Sequence, residues 1–199
     1  SDVQFMQLDL TARRNLELLE TMRNKEKRGS LLWVLDKTRT AMGKRLIRVW
    51  IEQPLLSPAQ ISRRLNAVEE LSGDAILRGS LSEQLTGIYD LERLMSRIVY
   101  GSANGRELRS LAAAAAKLPG LKGLLKDAQS AMLSGVYQDL DTLDDVLELI
   151  DRAIVEDPPF TIREGGIIKP GYSAELDELK GDMSDGKGII AQIEAAKQD

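Results

Sequence analysis

The segment LDKTRTAMGKRLIRVWIEQPL, Leu35 to Leu55, constrains the chain most, because it joins a helical apolar repeat to residues that a helix tolerates poorly. Leu31, Leu35, Thr38, Met42, Leu46, Val49 and Gln53 recur every three or four positions, the spacing that lays side chains along one helix face. Such a face buries against a core. The hydroxyls of Thr38 and Thr40 compete for backbone groups, and Gly43 costs about 1 kcal/mol relative to alanine inside a helix. The pattern predicts a long first helix from a Ser30 cap to Pro54, with Leu35, Met42 and Leu46 buried and a break or close backbone contact between Thr40 and Gly43.

The rest of the composition points the same way. At 199 residues, 43% hydrophobic and 29% charged, the chain is long enough for one sizeable core or two small ones. Aromatics are 4%, so the core is built from Leu, Ile, Val, Met and Ala, a mixture that favours helices over sheets. The fold class expected is mostly α, an irregular multi-helix array, with minor short β segments near the N-terminus and around residues 160–169. Cysteine and histidine are both absent, which excludes disulfides, thiol nucleophiles, His-based general catalysis and the usual zinc ligand sets within this chain. No apolar run approaches the roughly 18–20 residues of a membrane span, and no basic segment followed by an apolar block opens the chain, so no membrane partner and a cytoplasmic location are expected. The net charge of −4 is divided unevenly: residues 1–110 carry 18 Lys/Arg against 14 Asp/Glu and residues 111–199 carry 9 against 17. Holding duplex phosphates calls for a strongly basic surface, so the chain is not a self-sufficient DNA binder.

Local signals order the elements. Phe5–Leu8 and Leu16–Leu19 read as two short strands around a helical turn, and Arg23–Arg28 as a solvated loop. Ser57-Pro58-Ala59-Gln60 has the form of a capping box with proline at the first helical position, opening a helix with Ile61, Leu65, Val68 and Leu71 inward. Asp90 and Asn104, the latter with Glu107 three residues on, start two more helices. Ala112–Ala116 suggests close helix packing, Pro119 a restart of the chain, and Thr142-x-x-Asp145 a cap for a helix bearing Leu143, Val146, Leu147, Ile150 and Ile154. Asp157-Pro158-Pro159 forbids a helix, and Ile162, Ile167 and Ile168 flank Glu164-Gly165-Gly166 as short extended pieces. Lys169-Pro170-Gly171-Tyr172 has the order of a type II turn, after which Leu176, Leu179, Met183, Ile190 and Ile193 resume a helical pattern.

Three motifs imitate chemistry without its context. Gly181-x-x-x-x-Gly186-Lys187 lacks the final Ser/Thr of a phosphate loop and follows a helical rather than a strand pattern, while Gly186-x-Gly188-x-x-Ala191 fails as a dinucleotide fingerprint for the same reason. Asp139, Asp141 and Asp145 lack the glycine and terminal glutamate of a calcium loop. Lys37, Arg39, Lys44 and Arg48, with Arg45 nearby, are candidates to face DNA or a neighbouring domain, against the plainer reading of a solvated face flanking a buried stripe. Asp90, Glu92, Arg93 and Arg97 admit structural ion pairs, since no nucleophile or base accompanies them.

Taken in order, Arg14-Asn15-Leu16-Glu17-Leu18, then Asp36, Thr38, Thr40, Met42, Gly43, Arg45 and Leu46, then Pro54, Asp90, Glu92 and Arg93, and finally Asp157, Pro158, Pro159, Gly165 and Gly166, resemble the MutS family of DNA mismatch-repair proteins over nearly the whole chain. The resemblance implies the first half of the helical core, or lever, domain, which joins an ATPase to a clamp that closes around the duplex. It divides the chain into a short α/β opening segment (1–29), the helical core (30–155), a Pro/Gly-rich turn with a short β segment (156–172) and the start of the lever helix leading towards the clamp (173–199). It implies a relay of nucleotide state without catalysis in the chain itself, and no catalytic, cofactor-binding or metal-binding residue. ATP and magnesium would belong to an ATPase domain that this chain lacks, as it lacks the Phe-x-Glu mismatch-reading element. Mismatched double-stranded DNA, a second MutS subunit and MutL are the implied partners. Two rivals stand beside this reading: the recombination-associated MutS-like branch, which TRTAMG and DPPFTIREGG fit less well, and a free-standing α-helical protein-interaction adaptor.

Overall fold

The Leu31–Gln53 periodicity forms two helices rather than one. In the computed structural model, which describes residues 4–181 together with Ile193 and Ala195, the chain before it runs through α1 (Leu10–Asn15), capped by the Asp9 carboxylate, which accepts from the Ala12 N–H at 2.7 Å. Leu16–Leu19 is a turn, not the expected strand: the N–H groups of Leu16, Glu17 and Leu18 bond back to carbonyls of α1, and Glu17 sits at φ +49°. Phe5 makes a single antiparallel bridge with Leu55, and the Met6 N–H donates to the Pro54 carbonyl at 2.8 Å.

α2 (Leu31–Leu35) starts at Ser30, whose buried hydroxyl accepts from the Trp33 N–H. It then stops, because the Asp36 carboxylate takes the Thr38 N–H at 3.1 Å and the Thr38 hydroxyl at 2.6 Å. α3 (Ala41–Glu52) begins at Thr40, whose Oγ1 accepts from the Gly43 N–H at 3.0 Å. The break therefore falls at Asp36–Thr40, just ahead of the expected Thr40–Gly43 window, and the close approach at Gly43 is to side chains: a Cβ there would lie 3.2 Å from Thr40 Oγ1 and 3.4 Å from Thr38 Cβ and Cγ2. The expected buried stripe is not. Leu35 and Leu46 are 47% and 50% exposed and Met42 is half-buried, because the break removes the common helix axis on which the stripe depended. Leu32 is the buried residue of this pair of helices.

α4 (Pro58–Ser72) has the Ser57 half of its capping box, with the Ser57 hydroxyl accepting from the Gln60 N–H at 3.4 Å. Its inward face is Ala67, flanked by half-buried Arg64 and Glu70, rather than Ile61, Leu65 and Val68, which are exposed. α4 packs on α5 (Ala75–Leu85) and α8 (Ala131–Asp139), and a small residue at the contact lets the helices approach closely. α6 (Leu91–Val99) is capped by Asp90 and α7 (Gly105–Leu124) by the full Asn104/Glu107 capping box. α7 runs through Pro119 instead of restarting there. Its contacts with α5, α6, α8 and α9 (Asp144–Ala153) offset a proline penalty of about 3 kcal/mol. Thr142 does not cap α9. Leu143 occupies that position at φ +55° while its N–H donates to Asp141 Oδ1, an Asx turn.

α7 is the centre of the molecule. Leu111, Ala112, Ala114, Ala115 and Leu118 are buried along it, and Leu94 of α6 with Ile150, Ala153 and Ile154 of α9 and its exit close the main cluster. After α9 the chain bridges Ile154 to Ile168, which brings Ile167 and Ile168 onto that cluster. Ile162 lies in a 3-10 turn, Ile162–Glu164, instead of an extended piece, with Gly165 and Gly166 supplying positive φ at the reversal. The Tyr172 N–H donates to the Lys169 carbonyl with Gly171 at φ +86°, the type II turn expected. Residues 174–181 are helical, with Leu179 exposed and Leu176 half-buried. Asp182, Met183, Asp185, Gly186, Lys187, Gly188, Ile190 and Ala191, on which the phosphate-loop and dinucleotide resemblances and part of the last helix fall, lie outside the described residues.

Leu111, fully buried, is expected to lose about 2–5 kcal/mol on Leu111→Ala, and Leu46→Ala about 1 kcal/mol or less, by urea titration. Equal losses would contradict the placement of the core on α7.

Candidate functional site

The residues that stand out in the sequence converge on the junction between α3 and α6. Asp90 precedes α6, and its Oδ1 accepts from the Arg93 N–H at 3.1 Å, capping the helix. The same carboxylate takes both terminal nitrogens of Arg45, at 2.6 and 2.8 Å, a two-point contact that fixes direction as well as charge. Arg45 also reaches Glu92 at 2.9 Å. Arg45 therefore ties α3 to the start of α6 across 45 residues of sequence. The hydrogen bond from Arg45, opposed by burial and assisted by the Arg93 N–H and the two arginine charges, lowers the Asp90 pKa from 3.8 to about 2. The Arg45 guanidinium is raised by the same partners, its bonds to Asp90 first.

Further polar contacts hold the same arm. Arg64 of α4 stacks 3.8 Å from the centroid of Trp50 on α3, and burial lowers its pKa. Arg39 donates to Ser82 Oγ on α5 at 2.8 Å. Arg48 pairs with Glu52 one turn on, and Lys37 and Lys44 are exposed. The four basic candidates are thus divided: Arg39 and Arg48 have partners within the chain, and no carboxylate of the described residues lies in ion-pair reach of Lys37 or Lys44.

The second group of sequence candidates, around Asp157, is structural. Pro158 is buried against the N-terminus of α7, where a Cβ on Gly105 would meet Pro158 Cβ at 2.8 Å and Ile167 Cγ2 at 3.1 Å. Arg106 stacks 3.8 Å from the Phe160 centroid and reaches Asp157 at 3.4 Å, while Pro159 is half-buried. Arg97 of α6 pairs with Glu107. Burial alone would raise the Glu107 carboxyl, but Arg97, the Asn104 N–H and the charges of Arg97 and Arg93 hold it below its ordinary value.

Two residues emerge from the structure alone. Arg109 on α7 donates through Nε to the Val155 carbonyl at 2.8 Å, through a terminal nitrogen to the Ile154 carbonyl, and to Asp151 at 2.7 Å, so it satisfies carbonyls at the end of α9. Glu70 on α4 accepts from the Gln129 N–H at 2.7 Å and from the Ser130 N–H and hydroxyl at 2.9 and 2.7 Å, capping α8 from another helix. The Gln129 N–H, then the Ser130 hydroxyl and N–H, hold the Glu70 carboxyl below its ordinary value. Neither has a short-range sequence signal, since each partner is more than 40 residues away.

Among the described residues no group of three or more acidic, His or Cys side chains is placed to hold a metal: Asp139 ends α8, Asp141 lies in the connection after it, and Asp145 sits in the first turn of α9. The arrangement defines a helical structural domain whose distinctive residues tie helices together. A family profile described as MutS domain III matches residues 11–198. The DNA mismatch repair proteins MutS of Lachnoclostridium phytofermentans, Acetivibrio thermocellus and Alkaliphilus oremlandii are 49%, 47% and 50% identical to it, each over 98% of this chain. The chain belongs to the MutS family, as its domain III. It spans about a fifth of the length of these relatives, 21%, 22% and 22%.

Two outcomes are expected here. Because the Asp90 carboxyl is lowered on folding, its stabilisation is complete above about pH 4 and is lost as pH falls towards about 2. Asp90→Asn should therefore flatten the acid limb of stability in denaturant titrations, with variant and wild type converging at the acid end. Gly105→Ala should destabilise by about 1–3 kcal/mol, because Pro158 is part of the buried chain and cannot swing aside.

Proposed function

We propose that this segment is a non-catalytic lever, carrying the nucleotide state of a MutS ATPase to the parts that hold mismatched DNA. The observation that carries the reading is the Arg45–Asp90–Glu92 junction. It couples an arm that contributes little buried surface, α2 and α3, to the well-packed body at the first turn of α6. A charge-assisted two-point contact of this kind transmits orientation, and it is remade more easily than a buried apolar interface. In this reading ATP and magnesium act outside these 199 residues, and mismatched duplex DNA, a second MutS subunit and MutL are partners of the whole protein, which works in the cytoplasm. The segment itself is expected neither to bind ATP nor to prefer a mismatch. Its net charge of −4 opposes phosphate binding. Similarity across 98% of the chain to proteins several times longer favours this reading over a free-standing adaptor.

The test is Arg45→Ala in the full-length protein that carries this segment. Basal ATP hydrolysis should persist, while ATP-dependent release from a mismatched duplex, followed by stopped-flow fluorescence, slows by about tenfold or more. Unchanged release with unchanged hydrolysis would overturn the relay.

A further inference from the structure

A second site adjoins the first, with Arg45 of α3 common to both. α1, the loop after it and the Lys44–Arg48 stretch of α3 enclose a cleft of about 740 Å³ in which seven of the eleven lining residues are Lys or Arg and one, Glu20, is acidic. Four of those cations are answered from behind or beside the cleft: Arg13 and Arg48 by Glu52, Lys27 by Asp36, and Arg45 by Asp90 and Glu92. Arg14, Lys25 and Lys44 have no carboxylate within ion-pair distance among the described residues. Like charges gathered in a concave site repel one another, and the cost is relieved when an anion enters.

The loop that presents Lys25 and Lys27 is already set. The Thr21 N–H donates to the Glu26 carbonyl at 2.8 Å, the Lys25 N–H to the Thr21 carbonyl at 3.1 Å, and the Glu26 N–H to the Thr21 hydroxyl at 3.2 Å, with Lys25 held at φ +52°. An occupant therefore has little ordering of this loop to offset. The lining is also partly apolar, with Leu10 81% exposed at its edge and Leu32 buried at its floor.

We propose that this cleft is a docking site for an acidic, leucine-bearing segment of a partner protein. Charge complementarity selects an anion, and the leucines select among anions. A duplex backbone offers phosphates on a convex surface and no apolar group to cover Leu10, whereas an amphipathic acidic helix offers both carboxylates and leucines at the spacing of one turn. The cleft volume lies within the roughly 300–1,000 Å³ of sites that enclose a ligand of modest size. The assignment does not depend on the lever reading: Arg45 lines the cleft as well, but the substitutions that test it, at Arg14, Lys44 and Leu10, leave the Arg45–Asp90–Glu92 junction intact, and it is tested on the 199-residue chain.

The experiment is fluorescence anisotropy at physiological salt with three labelled probes: a helical peptide of Glu and Leu with the leucines on one face, a polyglutamate of equal length, and a short duplex. The amphipathic peptide should bind more tightly than polyglutamate, and Arg14→Glu and Lys44→Glu should each weaken it about tenfold. Leu10→Ser should weaken the amphipathic peptide and leave polyglutamate unchanged, while Lys126→Glu, outside the cleft, should leave all three probes unchanged. Circular dichroism should be unaltered in each variant, since Arg14, Lys44 and Lys126 make no ion pair among the described residues, Lys44 acting on Asp36 only through its charge, and Leu10 is exposed. Failure of the amphipathic peptide to bind, or binding indifferent to both reversals, would overturn the proposal. Loss of duplex binding alone would assign the cleft to nucleic acid instead. A dimer in sedimentation that the reversals dissociate would assign it to the acidic half of a second copy.

Discussion

Small side chains on α7 are the constraint on which the rest of the structure depends. Ala112, Ala114 and Ala115 give that helix a surface low enough for neighbours to approach its backbone from several sides, and α5, α6, α8 and α9 all pack against it. Leu111 and Leu118 then supply the apolar volume between them. With aromatics at 4% of the sequence, no large ring fills the interior, so close approach replaces bulk. The same need explains Gly105 at the start of α7, where Pro158 and Ile167 occupy the space of a side chain.

Outside this body, polar contacts take over. α2 and α3 bury Leu32 but leave Leu31, Trp33, Leu35, Leu46 and Val49 substantially exposed, and the arm is oriented by Arg45 on Asp90 and Glu92, Arg64 on Trp50 and Arg39 on Ser82. Directional contacts suit a junction that sets an angle between two parts, whereas apolar packing suits a body that moves as one piece. The contrast gives the lever proposal its physical content. The body around α7 is rigid by packing, and the arm is oriented by a few bonds that can be exchanged.

Much of this organisation was legible in the sequence wherever the physics is local. The caps at Asp9, Ser30, Thr40, Asp90 and Asn104 act within three residues of the helix they start, and those that the sequence singled out, Ser30, Asp90 and Asn104, stand where they were expected. The break before Gly43 was legible for the same reason, since Asp36, Thr38 and Thr40 hold it through neighbours. Helix faces were not. Leu46 and Leu65 fit an apolar period yet are exposed, because periodicity identifies a stripe without saying what covers it, and α4 instead turns Ala67 inward. Long-range polar contacts were equally hidden. The composition makes Asp90 and Arg45 ordinary charged residues, and only the fold brings them within 2.6 Å. Pro119 shows tertiary packing overriding a local rule, and Leu143 shows a backbone turn displacing a side-chain cap that the sequence had assigned to Thr142.

Amide hydrogen exchange under native conditions, resolved by residue, tests this division most directly. Amides of α7 and α9 should exchange only through global unfolding, and those of α3 through a smaller opening that leaves the body folded. Protection of α3 equal to that of α7 across denaturant concentrations would contradict the account, and would mean that arm and body are a single packed unit.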